Sequence, residues 1–433
     1  MIVNFSVQNF GSIKDKQTLS FEADKSTHLE DHYIISGTGG LRLLKLALIY
    51  GANASGKTTI LNALEFLREI VLEPAEKKTD SFNFNPYQFD YKTASQNSII
   101  TIDFIQNEIR YLYEVEFNKS AIVREELYFY NPNKANVFRR TTDIEKQFTK
   151  ISFGSKIKKD ITFEKTLEAN TLWNNTVLGG FLKTNIQLIE LKEATDWFEN
   201  YLKRLINSDT NLKKYITEKV YKTEVEKRLI LDILKKADFN ISDILFQEED
   251  SNVFNEFIER LQNVNYENWK DLKNKEKLTS VNLEFEHTVN NKKFSLPFDL
   301  ESQGTKRYYG FAGLLSLLIN NSIAFPIDEL ETSLHPELYI HFLLSFLINA
   351  KKSQIIATTH NREILSNKDI FRNDAIWFTD KSDNSATELY SLSDFDSSTV
   401  RDTSNIFNAY KTGKLGGTPN LGDYYIDISN QKN

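Results

Sequence analysis

Four short stretches carry residue types that could do phosphate chemistry. The first is GANASGKTT at residues 51–59. Gly51 and Gly56 let the backbone curl so that successive N–H groups, among them those of Asn53, Ala54, Ser55 and Thr59, face a phosphate; Lys57 brings a point charge and Thr58 a ligand for Mg²⁺. The second, SIAFPIDELETSLHP, is an apolar run ending in Asp328 and Glu329. At a strand end beside such a loop, Asp328 can hold the Mg²⁺ shell and Glu329 can orient or activate an attacking water. The same pair also reads as two exposed acids closing a strand. The third, LESQGTKRYYG, places Ser302 and Gly304 ahead of a helical spacing, and a helix N-terminus is a ready anion site. In the fourth, SQIIATTHNREIL, a strand-like run stops at His360, which taken alone reads as a surface histidine after an edge strand.

These residues need elements to hold them. Residues 43–50 are apolar and short enough for a buried strand, whereas Ile60, Leu61, Ala63, Leu64, Leu67 and Ile70 recur at helical spacing, so the glycine loop feeds a helix N-terminus, the context that a P-loop requires. Tyr308, Phe311, Ala312, Leu315 and Leu318 likewise predict one buried helix face behind Ser302. Pro326 is unexpected in a strand, because it has no N–H for a central ladder.

Along the chain, residues 1–160 read as a strand-rich α/β lobe with the P-loop, 161–278 as a helical insertion, and 279–433 as a second α/β lobe with a polar, glycine-containing tail. A length of 433 residues allows two or three domains. There is no cysteine, so no disulfide framework, and no apolar run approaches a membrane span. A cytoplasmic location and no membrane partner are expected. The net charge of −7 argues against a surface that grips nucleic acid throughout, while a local basic face stays possible.

In this order, with P-loop, insertion, Ser302/Gly304, Asp328/Glu329 and His360, the chain resembles an ABC-type ATPase, an α/β P-loop NTPase head of the RecF/SMC kind with a helical insertion. The resemblance implies that SQGT is the signature loop, that LETSLH is the loop after Walker B, and that His360 is the switch histidine contacting the γ-phosphate. Glu329 and His360 would then be catalytic, Thr58 and Asp328 would serve Mg²⁺, and the loop from Gly51 to Thr59 would hold ATP. The signature differs from that of most transporters in Gln303 and Thr305. More narrowly, NFGSI, IDELETSLHPEL and YKTGKLGGTPNLG are similar to the standalone ABC ATPases allied to RecF/SMC and OLD proteins, as in the ATPase subunits of two-gene phage-defence systems (PARIS, Septu and AbiL-type). That likeness covers about residues 1–155 and 280–425 and is weaker over the insertion.

The same resemblance implies a homodimer or higher homo-oligomer in which Ser302 and Gly304 of one copy meet ATP held by another. It also implies a protein effector encoded nearby, a nuclease or toxin, that the ATPase assembles with or activates. The alternative is a RecF/SMC-like DNA-repair clamp, against which the insertion is too short and irregular for a coiled-coil arm. A transporter motor is disfavoured by the lack of a membrane-coupling segment. Gln88 is the one candidate for a glutamine between the lobes and reads more readily as a surface residue. Asp394 and Asp396 in SDFDSS offer the sole paired-acid pattern after His360, and serine–aspartate clusters are usually turns.

Overall fold

The computed structural model describes residues 1–158, 161–213, 216–217, 220, 223–248, 281–395 and 406–419. They form two compact units. The first comprises Met1–Ser208, Leu318–Thr332 and Phe346–Asn433; the second comprises Asp209–Leu317 and Ser333–Ser345. The segment read from sequence as a helical insertion is thus shared between units, parting at Ser208.

The first unit contains an antiparallel seven-stranded sheet of β1 (Ile2–Gln8), β2 (Gln17–Ser20), β6 (Ser98–Gln106), β7 (Ile109–Phe117), β8 (Ile122–Tyr130), β9 (Lys134–Asp143) and β10 (Phe148–Phe153), in the order β10-β9-β8-β7-β6-β1-β2. Strand β7 shows why. Its Tyr111, Tyr113, Val115 and Phe117 are buried and the residues between them are partly exposed, the period of two expected of a sheet with one face on a core. Asn107 and Glu108 both take left-handed conformations and close the β6–β7 hairpin in two residues. A short ribbon of β3 (Ile34–Ser36) and β4 (Arg42–Leu44) precedes the second sheet.

That second sheet holds the sequence motifs. It consists of β5 (Leu46–Gly51), β14 (Ala324–Ile327), β15 (Gln354–Thr358), β16 (Ile376–Lys381) and β17 (Thr387–Ser391), ordered β14-β15-β5-β16-β17. The first four are mutually parallel and only β17 runs antiparallel. Every residue of β5 is buried, as a parallel strand covered on both faces requires. The helix Lys57–Leu72 follows, burying the face anticipated from its spacing. Pro326 is accommodated because β14 is the outer strand. On its open edge, Lys203 and Ile206 donate to the carbonyls of Ala324 and Pro326, and Asp328 N–H donates to Ile206 O, so the missing proline donor falls between bonded positions.

The residues 161–208 supply helices Ile161–Asn170, Val177–Phe181 and Ile189–Asp196, the last running into a π-helical turn at Trp197–Tyr201. Trp197 stacks on Phe104 of β6 with centroids 4.3 Å apart, which ties this segment to the antiparallel sheet.

The second unit contains the helix Glu224–Lys236, the start of the helix Gln303–Asn320, and an antiparallel sheet β11-β12-β13 of Asp243–Glu248, Val281–Val289 and Lys292–Pro297. Strand β11 corrects the all-helical reading of the insertion. Its apolar triplet Ile244-Leu245-Phe246 is too short to distinguish helix from strand, and pairing with β12 decides it. The remainder of the insertion to residue 278 lies outside the described residues. Among the described residues no helix is long and apolar enough to cross a membrane.

Candidate nucleotide-binding site

The loop after β5 is shaped by two left-handed residues, Ala54 at φ 62° and Gly56 at φ 105°. Glycine is required at 56 twice over, by that conformation and because a Cβ there would stand 2.0 Å from Thr387 Oγ1. A Cβ on Gly51 would meet Thr379 Oγ1 at 2.3 Å. Ser55 is buried and its hydroxyl is shared with Thr379 at 2.6 Å, while its carbonyl accepts from Thr387 Oγ1 at 2.8 Å. The side chain of Ser55 therefore anchors the loop. Thr59 is held by Ser12 at 3.0 Å, which packs the NFGSI segment against the helix start. The exposed Asn53 and Ala54, at the crest, keep their N–H groups without an acceptor among the described residues, as does Gly56.

Lys57 is buried and folds back on its own loop, its Nζ donating to Gly51 O and Ala52 O at 3.0 Å each. Burial lowers its pKa, and Asp328, Glu331 and Glu329 pull the other way. Thr58 projects to the strand end and donates to both oxygens of Asp328, at 3.2 and 3.0 Å. Thr358, the last residue of β15, ties the two acids together: its hydroxyl donates to Asp328 Oδ1 and accepts the backbone N–H of Glu329 at 2.8 Å. Glu329 itself sits at φ 50° and its carboxylate accepts from Thr332 at 3.2 Å. His360 lies just beyond β15 with its side chain exposed. Partial desolvation, then the Lys57 charge, lowers its pKa, against the opposing pull of Glu331, Glu329 and Asp328.

The first unit thus brings together Lys57, Thr58, Asp328, Glu329 and His360 at the C-terminal ends of three neighbouring parallel strands, where open α/β sheets bind ligands. Ser302 and Gly304 belong to the second unit. Ser302 caps the helix Gln303–Asn320, its Oγ accepting from Thr305 N–H at 3.0 Å, and a Cβ on Gly304 would meet nothing closer than 3.8 Å. Gln88 is exposed and donates to Pro86 O within its own loop. Asp394 is committed to a capping box with Ser391, and Asp396 lies outside the described residues.

Three residues beside the loop escaped sequence reasoning. Thr379 and Thr387 sit in β16 and β17 and look like ordinary strand threonines; only the fold shows them against the loop. Glu331 had a signal, its place two residues after Glu329. The glycine-containing tail, which from sequence reads as either a docked extension or a flexible end, packs through Ile406–Lys411, whose Tyr410 ring lies 5.8 Å from Tyr50 and 5.2 Å from Phe378. Past it, Gly417 at φ 64° donates to Asp380 Oδ2 at 2.9 Å, and a Cβ there would stand 3.5 Å from Gly51 Cα. The tail described to Pro419 is therefore docked on the root of the P-loop; residues 420–433 are outside the described set.

Residues 46–366 match the family described as "AAA domain, putative AbiEii toxin, Type IV TA system". Among solved structures, the SMC head domain from Thermotoga maritima is 14% identical with a TM-score of 0.40, over 90% of this chain and 98% of that one. An SmcHead bound to the C-winged helix domain of ScpA gives 14% identity and a TM-score of 0.45, over 90% and 97%. An Smc head domain with an extended coiled coil bound to the C-terminal domain of ScpA, derived from Pyrococcus furiosus, gives 12% and 0.39, over 90% and 96%. No curated protein matches.

Proposed function

The chain belongs to this AAA-domain family, whose match spans well over half of it, and from that premise we propose that it hydrolyses ATP at the P-loop to control assembly with a protein effector. The observation that carries the hydrolysis reading is the contact of Thr58 with Asp328, with Glu329 next in the chain, at the mouth of the loop.

A hydroxyl and a carboxylate within 3.2 Å are hard oxygen donors of the kind Mg²⁺ takes, so Thr58 and Asp328 fit that ion. Bound there, it would neutralise charge on the β- and γ-phosphates. The free N–H groups of Asn53, Ala54 and Gly56 receive phosphate oxygens, and Lys57 exchanges its two loop carbonyls for the terminal phosphates. Glu329 orients the attacking water and accepts its proton. His360 donates to the γ-phosphate. Ser302 and Gly304 complete the site on a second copy, where the helix N-terminus behind them faces that copy's nucleotide. ATP then holds copies together and hydrolysis releases them.

The effector partner and the antiphage setting are carried over from the sequence resemblance; the family's description speaks of a putative AbiEii toxin of a Type IV TA system. The test uses purified full-length protein. Glu329→Gln should retain ATP binding and lose turnover, and protection of phage-challenged cells should need both Glu329 and the neighbouring gene. Wild-type turnover in Glu329→Gln would overturn the hydrolysis reading. Protection by this chain alone would overturn the partner reading.

A further inference from the structure

Glu331 has no part in the chemistry assigned above, yet it joins the two loops that perform it. After β14 the chain reverses sharply: Glu329 and Ser333 are left-handed, at φ 50° and 64°, Thr332 N–H donates to Glu329 O at 2.9 Å, and Leu330 N–H to Thr358 O at 3.1 Å. The turn aims Glu331 across the end of β15, where Oε1 accepts the backbone N–H of His360. The strand has ended at Thr358, so that N–H has left the ladder and the carboxylate is its acceptor. The other oxygen, Oε2, is buried and accepts no hydrogen bond among the described residues.

A buried carboxylate gains stability from each oxygen that is answered. Glu331 has one. That oxygen is spent on the backbone of His360, a residue that would meet the terminal phosphate. We infer that Glu331 is a positioning residue for hydrolysis, setting the loop that presents the His360 imidazole by gripping that residue's backbone. The inference rests on the proposed hydrolysis at this site.

A double-mutant cycle tests it, with ATP affinity, KM and kcat measured on Glu331→Ala, His360→Ala and the pair. Glu331→Ala should lower kcat about 10- to 100-fold with ATP affinity within about 3-fold, since loop geometry is altered and phosphate contacts are kept. The pair should be no slower than His360→Ala alone, because both changes remove one function. Glu331→Gln, which keeps an acceptor for the His360 N–H, should retain most of the wild-type kcat and serves if the alanine variant does not fold. Multiplicative losses in the pair, or Gln as damaging as Ala, would overturn the inference while Glu329→Gln still tests hydrolysis independently. A fall in ATP affinity matching the fall in turnover would overturn it too.

Discussion

Two clusters of buried charge in the first unit are built on opposite terms. In the antiparallel sheet, Glu125 and Arg140 are wholly buried. Glu125 accepts from Tyr113 Oη at 2.7 Å and from Val177 N–H at 3.0 and 2.8 Å; Arg140 donates to Ile122 O, Thr149 Oγ1 and Trp173 O. Burial raises the Glu125 pKa and lowers that of Arg140 to about 10, each group's charge opposing the shift of the other. Around the P-loop the cluster opens at the surface: Lys57 donates to its own loop among the described residues, and Thr58 and His360 are exposed. The first cluster is wholly enclosed by the sheet, with Arg140 Nε buried and without a hydrogen-bond partner among the described residues, and it serves the fold. The second is held in shape while open at the surface, which is what a site awaiting a ligand requires.

Mutations can break or sharpen that contrast. The largest effect belongs to the enclosed cluster: Arg140→Ala, by removing the buried cation whose charge offsets that of buried Glu125, should cost about 3–5 kcal/mol of stability in urea melts. A loss under about 1 kcal/mol would erase the distinction. In the open cluster Glu329→Gln should cut turnover at least about 100-fold, or ~2.7 kcal/mol of activation free energy, with the urea midpoint unmoved. Lys57→Ala should weaken ATP binding by about 1.5–3 kcal/mol, seen by calorimetry, again with little change in stability. Mixing Lys57→Ala and Ser302→Arg copies should restore partial hydrolysis if the open groups are answered by a second copy, and no recovery would confine the site to one chain.

The smallest effect probes a third setting, in the second unit, where His341 Nδ1 lies 2.8 Å from Tyr308 Oη. Desolvation, then Lys236, lowers the His341 pKa. The unfolded chain therefore binds a proton first as pH falls, so stability should decline below about pH 6.5 towards the folded-state value and then level off. His341→Gln should flatten that part of the profile of urea midpoint against pH.

What could be read in advance follows the physics of each feature. The P-loop, its strand and its helix were legible because a local motif and two local periodicities coincide, and Asp328, Glu329 and His360 were legible because each ends an apolar strand-like run. Thr379, Thr387 and Tyr410 were not, since their roles arise from chain crossings hundreds of residues apart that leave no local pattern. β11 was misread because three apolar residues carry no period. Ser302 was singled out as an anion donor; its oxygen accepts the Thr305 N–H as a helix cap, a use that does not consume the hydroxyl proton.

The strand order has a consequence for a chain emerging from the ribosome. Strand β5 leaves early with its loop complete, but its two flanking strands are β15 and β16, more than 300 residues later, and the glycine that covers its end is Gly417. Until then both edges of an entirely apolar strand lack their partners, a hazard for pairing with other chains. Folding of this sheet must be late and nonlocal, and therefore slow. A nascent chain exposes the glycine loop well before Asp328 and Glu329, whose strand end meets that loop in the fold, have been made.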